Sequence, residues 1–186
     1  RAQGLHLLAL ANATDDRPVE VDRDAKSIGH EETYPRDLVD HTSLERELVR
    51  LADAVASRLR QQGVAGRTVT LKVRFAGFHT VTRSVTVASP VDTGPELVAA
   101  VRPALRELDV AVGVRLLGVS AGNLAAPNRQ LSLLDDVEAP SKAAGAIDEI
   151  RARFGSTAIG PASAVSGDGI RVVRQGAQQW GPDQQT

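Results

Sequence analysis

The chain has 186 residues, 42% hydrophobic and 24% charged, with a formal net charge of −1 at pH 7, which suffices for one good core or one domain with appendages. Without net basicity, any nucleic-acid reading rests on how charge is distributed along the chain. Cysteine is absent, which excludes disulfides and thiolate metal sites and fits a reducing cytosol; the scattered His6, His30, His41 and His79 lack ligand spacing, and no apolar run is long enough to span a membrane.

Residues 1–13 place Leu5, Leu8, Ala9 and Asn12 at roughly helical spacing and end at Thr14-Asp15-Asp16. They read as the last helix of a preceding domain, in a chain cut from something larger. Residues 17–25 are polar and contain Pro18, as a linker would. Residues 26–34 read as a strand. Thr42 and Glu45 then form a T-x-x-E capping box. The helix it opens aligns Leu44, Leu48, Leu51, Val55 and Leu59 on one face and stops before Gly63.

Residues 66–89 read as two strands joined at Ala76-Gly77. In the first, Val69, Leu71, Val73 and Phe75 alternate with Thr68, Thr70, Lys72 and Arg74, the pattern of a sheet with one buried and one solvated face. In the second, Arg83 shares the parity of Val81, Val85 and Val87. That predicts an edge position, a bulge at Arg83-Ser84, or another register. Between Asp53 and Asp92 there is no carboxylate, yet Arg58, Arg60, Arg67, Lys72, Arg74 and Arg83 all lie there. Such a cationic, hydroxyl-rich face suits phosphate oxygens; an ordinary solvated sheet face has the same composition.

A second helix starts near Thr93, again with T-x-x-E through Glu96. Its stripe is Leu97, Val98, Val101, Leu105 and Leu108, with a kink expected at Pro103. Residues 110–120 form a last strand. The order β-α-β-β-α-β predicts an α+β fold: a four-stranded antiparallel sheet with two helices on one face and the other face open. Beyond this, residues 124–129 read as a loop. A short helix capped by Ser141 runs through Ile147, Ile150 and Phe154 to Gly155, and most of the remaining tail, with Trp180, is expected to be mobile. Asp135-Asp136 and Glu31-Glu32 are adjacent carboxylates that read as solvated surface. The architecture alone also accommodates a small-molecule regulatory domain or a protein-interaction domain.

Four segments in this order resemble one family: KSIGHEETY at Lys26, the T-L-K-V-R-F…F-H-T-V-T-R-S hairpin from Thr70 to Ser84, V-R-L-L-G-V-S at Val114, and Q-L-S-L-L at Gln130. The chain resembles the C-terminal part of a Y-family translesion DNA polymerase of the bacterial DNA polymerase IV type. The resemblance implies a thumb remnant at 1–16, a linker at 17–25 and a "little finger" DNA-binding domain at 26–123. A loop with a clamp-binding motif follows at 124–138, then a C-terminal helix and mostly flexible tail at 139–186.

It further implies that the open sheet lies in the major groove and grips backbone phosphates of duplex primer–template DNA. The residues mapping onto the DNA-facing strands are Lys26, Ser27, Ile28, Gly29, Thr70, Lys72, Arg74, Thr82, Arg83 and Ser84. Gln130, Leu131, Ser132, Leu133 and Leu134 resemble the motif that anchors in the bacterial sliding clamp, the beta subunit of the replicative polymerase. In many family members this motif sits near the extreme C-terminus, whereas here a helix and tail follow it. Catalysis would use Mg2+ held by palm carboxylates outside this chain. No catalytic or metal-binding residue is therefore expected within it, and the localisation implied is cytoplasmic.

Overall fold

The computed structural model describes residues 2–18, 24–127, 138–166 and 169–170. In chain order the elements are α1 (Ala2–Ala11), β1 (Ser27–Leu38), α2 (His41–Gln61), β2 (Ala65–Phe75), β3 (Thr80–Val91), α3 (Gly94–Arg106), β4 (Val114–Ala125), α4 (Glu138–Phe154), β5 (Val165–Ser166) and β6 (Gly169–Ile170). The four long strands form one antiparallel sheet in the order β1-β4-β2-β3. Helix α2 packs on β1 and β4, and α3 packs on β2 and β3. Both helices therefore cover one face, as the element order requires.

The core follows from two periodicities meeting. Leu44, Leu48, Leu51, Val55 and Leu59 of α2 are all 0% exposed, as are Leu97, Val101 and Leu105 of α3. Val69, Leu71 and Val73 of β2, with Leu117, Val119 and Ala121 of β4, close the other side. Each such Leu or Val stabilises the fold by about 1.5–3 kcal/mol relative to an exposed position.

Several boundaries differ from the sequence reading. The N-cap of α2 is Asp40, whose carboxylate accepts the Ser43 backbone N–H at 2.8 Å. The Thr42–Glu45 box does not form, because the Glu45 carboxylate turns to Arg106 on α3 at 2.7 Å. The second box does form: Glu96 accepts the Thr93 backbone N–H at 3.2 Å and the Thr93 hydroxyl at 2.5 Å. Strand β1 runs on through Pro35 to Leu38, with a register shift between Thr33 and Leu38. That is tolerable because β1 is an edge strand, where a missing N–H costs no ladder bond.

Strand β4 starts later than expected and continues to Ala125, since Ala65 and Gly66 of β2 pair with Ala125 and Leu124. The left-handed residue of the β2–β3 turn is Phe78 (φ 63°), not Gly77. The turn is closed by Phe75 N–H donating to His79 O at 2.9 Å and by Ala76 N–H donating to Gly113 O at 2.9 Å.

Helix α4 starts at Glu138, earlier than Ser141, and ends before Gly155 (φ 93°). It docks on a side of α2 that the core leaves uncovered. Arg60 donates to Asp148 at 2.6 and 3.0 Å, Ser57 donates to Asp148 at 3.0 Å, and Arg151 donates to Asp53 at 2.7 Å. Helix α1 leaves Leu5, Leu7 and Leu8 more than half exposed. Among the described residues, no helix is long and apolar enough to cross a membrane.

Candidate nucleic-acid interface

Strand pairing sets sixteen described residues of the uncovered face in four cross-strand rows. From β1 to β3 these are Ser27–Gly122–Thr68–Thr86, Gly29–Ser120–Thr70–Ser84, Glu31–Gly118–Lys72–Thr82 and Thr33–Leu116–Arg74–Thr80. Directly paired residues project on the same side of a sheet. These four rows carry nine hydroxyl side chains, three glycines, Lys72, Arg74, Glu31 and one apolar residue, Leu116. The hydroxyls are partly organised in pairs. Thr70 Oγ1 and Ser84 Oγ lie 2.8 Å apart, Thr68 and Thr86 hydroxyls 3.4 Å apart, and Arg74 Nε donates to Thr80 Oγ1 at 3.0 Å.

Of the sequence-predicted contacts, Ser27, Gly29, Thr70, Lys72, Arg74, Thr82 and Ser84 share this face, and exposed Lys26 immediately precedes it. Two do not. Ile28 pairs with Ala121 and is 5% exposed, so its side chain belongs to the core. Arg83 pairs with Leu71, so it leaves from the helix-covered side at the outer edge, and its Nη1 donates to Thr82 O at 3.1 Å. No bulge occurs at Arg83-Ser84; the edge position of β3 is what lets an Arg sit on the apolar parity. The register irregularity lies elsewhere, between Gly66 and Thr68.

The carboxylate-free run of the sequence also disperses in space. Arg58 donates to His30 Nδ1 at 2.9 Å and to Gly29 O at 3.2 Å, on the far side of β1. Arg60 is held by Asp148 and by Asp92 O at 2.7 Å. Arg67 donates to Ala88 O at 2.9 Å. Of the six cations, only Lys72 and Arg74 reach the open face.

Sequence reading missed the carboxylate among them. Glu31 stands in the row of Lys72 and accepts its Nζ at 2.7 Å. Glu32, one residue on, points to the helices and pairs with Arg50, which is 4% exposed and also binds Glu47 at 2.6 Å. Neither glutamate is mere solvated surface, and their opposite directions keep them from converging on one ion. The signal available was β1's own period of two, which puts Glu31 on the parity of Ser27 and Gly29. Burial, then the nearby Arg58 and Arg50 guanidiniums, hold the His30 imidazolium form below its ordinary range, so this ring stays neutral near pH 7. Thr33 was also missed, although it shares the parity of Ser27 and Gly29 on β1, as were Ser120 on β4 and Thr80 and Thr86 on β3, whose facing sides follow from the pairing; Thr68 lies where the alternation of β2 puts it.

The segment 130–134, with Gln130, Leu131, Ser132, Leu133 and Leu134, lies outside the described residues, as does Trp180. Among the described residues, no three His or carboxylate groups cluster to hold a metal ion.

The model of the impB/mucB/samB family C-terminal domain matches residues 25–133. The DNA polymerase IV of Streptomyces coelicolor is 43% identical over 125 residues, covering 67% of this chain and 26% of that protein. The DNA polymerase IV of Desulfatibacillum aliphaticivorans is 39% identical over 166 residues, covering 86% and 42%. The chain thus spans less than half the length of these curated relatives. Among solved structures, a complex of the beta-clamp processivity factor and the little finger domain of PolIV aligns with a TM-score of 0.47 at 25% identity. The alignment covers 59% of this chain and 99% of that one.

Proposed function

Because the chain belongs to the impB/mucB/samB family, whose C-terminal domain accounts for residues 25–133, we propose that its open sheet face grips the phosphate backbone of duplex primer–template DNA. The observation that carries this reading is the four-by-four array, which offers hydroxyl donors, close backbone approach at glycines, and Lys72 and Arg74, with almost nothing apolar. Threonine and serine hydroxyls and cationic side chains bind phosphate oxygens and position a duplex, but carry no base information. That is the chemistry a polymerase needs if it is to accept damaged template of any sequence.

The full-length protein on this reading is a cytoplasmic, error-prone translesion DNA polymerase of the DNA polymerase IV type. Its nucleotidyl transfer would use Mg2+ held by carboxylates outside this chain. The described residues do not form such a ligand set, and no chemical step is assigned to them. The second partner proposed is the bacterial sliding clamp, bound through residues 130–134. A motif this short buries little area, so its contribution comes chiefly through tethering to DNA. Gln130→Ala with Leu133→Ala should abolish clamp binding and spare DNA binding; retained clamp affinity would move the contact elsewhere.

The test of the DNA reading is titration of this chain with a fluorescent primer–template duplex at two salt concentrations. Sequence-indifferent binding should weaken steeply with salt, with a log–log slope of about −0.9 per phosphate contacted. Lys72→Ala combined with Arg74→Ala should weaken it further without loss of folding. No binding at low salt, or binding insensitive to that double substitution, would overturn the reading.

A further inference from the structure

In the third row of the open face, Gly118 separates Glu31 from Lys72. A Cβ at position 118 would lie 2.8 Å from Glu31 Cβ and 3.5 Å from its Oε2. The glutamate therefore lies across the glycine, and the missing side chain opens the path by which its carboxylate reaches the next strand but one. There it accepts Lys72 Nζ at 2.7 Å. Thr70, Thr82 and Ser120 line the same shallow depression. The pair is neither sealed nor fully solvated, with the side chains of Lys72 and Glu31 35% and 40% exposed.

We infer that the Glu31 carboxylate is an internal stand-in for a DNA phosphate. It occupies the seat on Lys72 that a backbone phosphate takes in the complex and must yield that seat when DNA binds. This rests on the open face being the DNA face. A carboxylate and a phosphate both offer an anionic oxygen to the ammonium, and one Nζ held at 2.7 Å by Glu31 cannot make the same close contact with a phosphate in the same direction. An ion pair this exposed is weak enough to be exchanged rather than kept.

The consequence is a face that is pre-shaped but muted. The Lys72 stem is held over the row instead of sampling solvent, while the resting charge of the row is neutral. A duplex is then held by several small exchanges, and the affinity is set lower than its donors alone would give. For a domain that must engage DNA of any sequence and then release it, such damping limits indiscriminate binding.

The experiment is a two-by-two titration with the fluorescent duplex at low salt, using the unaltered chain, Glu31→Gln, Lys72→Ala and the double variant. Glu31→Gln keeps the strand's backbone hydrogen bonds and side-chain volume, and thermal unfolding of all four checks that they fold. The expected result is that Glu31→Gln tightens binding by about threefold to tenfold, the scale of one exposed pair plus one relieved like-charge contact. Lys72→Ala weakens it, and in the Lys72→Ala background the gain from Glu31→Gln falls below about twofold, because the seat is gone. Unchanged or weaker binding by Glu31→Gln, where Lys72→Ala still weakens it, would overturn the inference and leave the DNA face standing. A full gain retained in the Lys72→Ala background would also overturn it, since Glu31 would then act as a distant charge. If neither residue alters affinity, the inference falls, and the Lys72→Ala plus Arg74→Ala titration decides separately whether the DNA reading of the face stands.

Discussion

Arg83 stands opposite Leu71 across the β2–β3 pair, whereas its neighbour Ser84 stands opposite Thr70. Two adjacent residues of one basic, hydroxyl-rich stretch thus leave the sheet on opposite sides. A one-residue difference in register decides which of them can meet a ligand on the open face.

If phosphates lie on the open face, Arg74→Ala should reduce the magnitude of the salt slope for duplex binding by about 0.9, one phosphate contact. Arg83→Ala should change it by less than half as much. Fluorescence titration across a range of salt concentrations measures both; equal losses would mean that the β3 edge, not the face, is in contact.

Arg50 is the most buried charged group among the described residues, and its guanidinium serves Glu32 on β1 and Glu47 one turn before it on α2. Removing one partner from such a cluster leaves the others charged and desolvated. Arg50→Ala should therefore cost about 3–5 kcal/mol in urea unfolding, comparable with Leu51→Ala in the core. A loss under 1 kcal/mol would show that the cluster is hydrated in solution.

His30 provides a pH dependence. Its folded pKa is lowered by burial and by Arg58. The unfolded chain then takes up a proton near the ordinary histidine value while the folded chain resists it. Stability from this group is present above about pH 6.5 and is lost as pH falls through that value toward the lower folded pKa. Unfolding measured at pH 7 and pH 5.5 should show a drop that is smaller in His30→Gln. An NMR titration placing the His30 pKa above its ordinary value would contradict this.

Asp148 anchors α4 through Arg60 and Ser57. Asp148→Asn should weaken that docking by about 1–3 kcal/mol, the worth of charge-assisted hydrogen bonds. It should appear as faster hydrogen exchange of the α4 amides with unchanged exchange in β2 and unchanged duplex affinity. Faster exchange throughout the sheet would instead make α4 part of the main cooperative unit.

Local patterns made the architecture legible. Leucine spacing located α2 and α3, strict alternation located β2, and the order of elements implied the four-stranded sheet with both helices on one side. What stayed hidden depended on contacts between distant segments. Arg58 and Arg60 sit in the carboxylate-free run of sequence, yet they are turned away to His30 and Asp148 by the direction of α2. Glu31 is 41 residues from Lys72 in the chain and meets it only because β4 inserts between β1 and β2. The family resemblance puts Ile28 on a strand of the open face together with Ser27 and Gly29, but its parity sends its side chain to the core. The Thr42–Glu45 pattern is a valid cap signal that lost to Asp40, since Glu45 gains a cation from α3.

The central claim, that the uncovered face of the β1-β4-β2-β3 sheet is the DNA surface, is tested most directly by mapping chemical-shift changes as duplex is titrated into isotope-labelled protein. The largest changes are predicted at Thr70, Lys72, Arg74, Thr82, Ser84 and Ser120, with the buried stripes of α2 and α3 undisturbed. Changes concentrated on α2, α3 or α4, with these strand residues silent, would contradict the account.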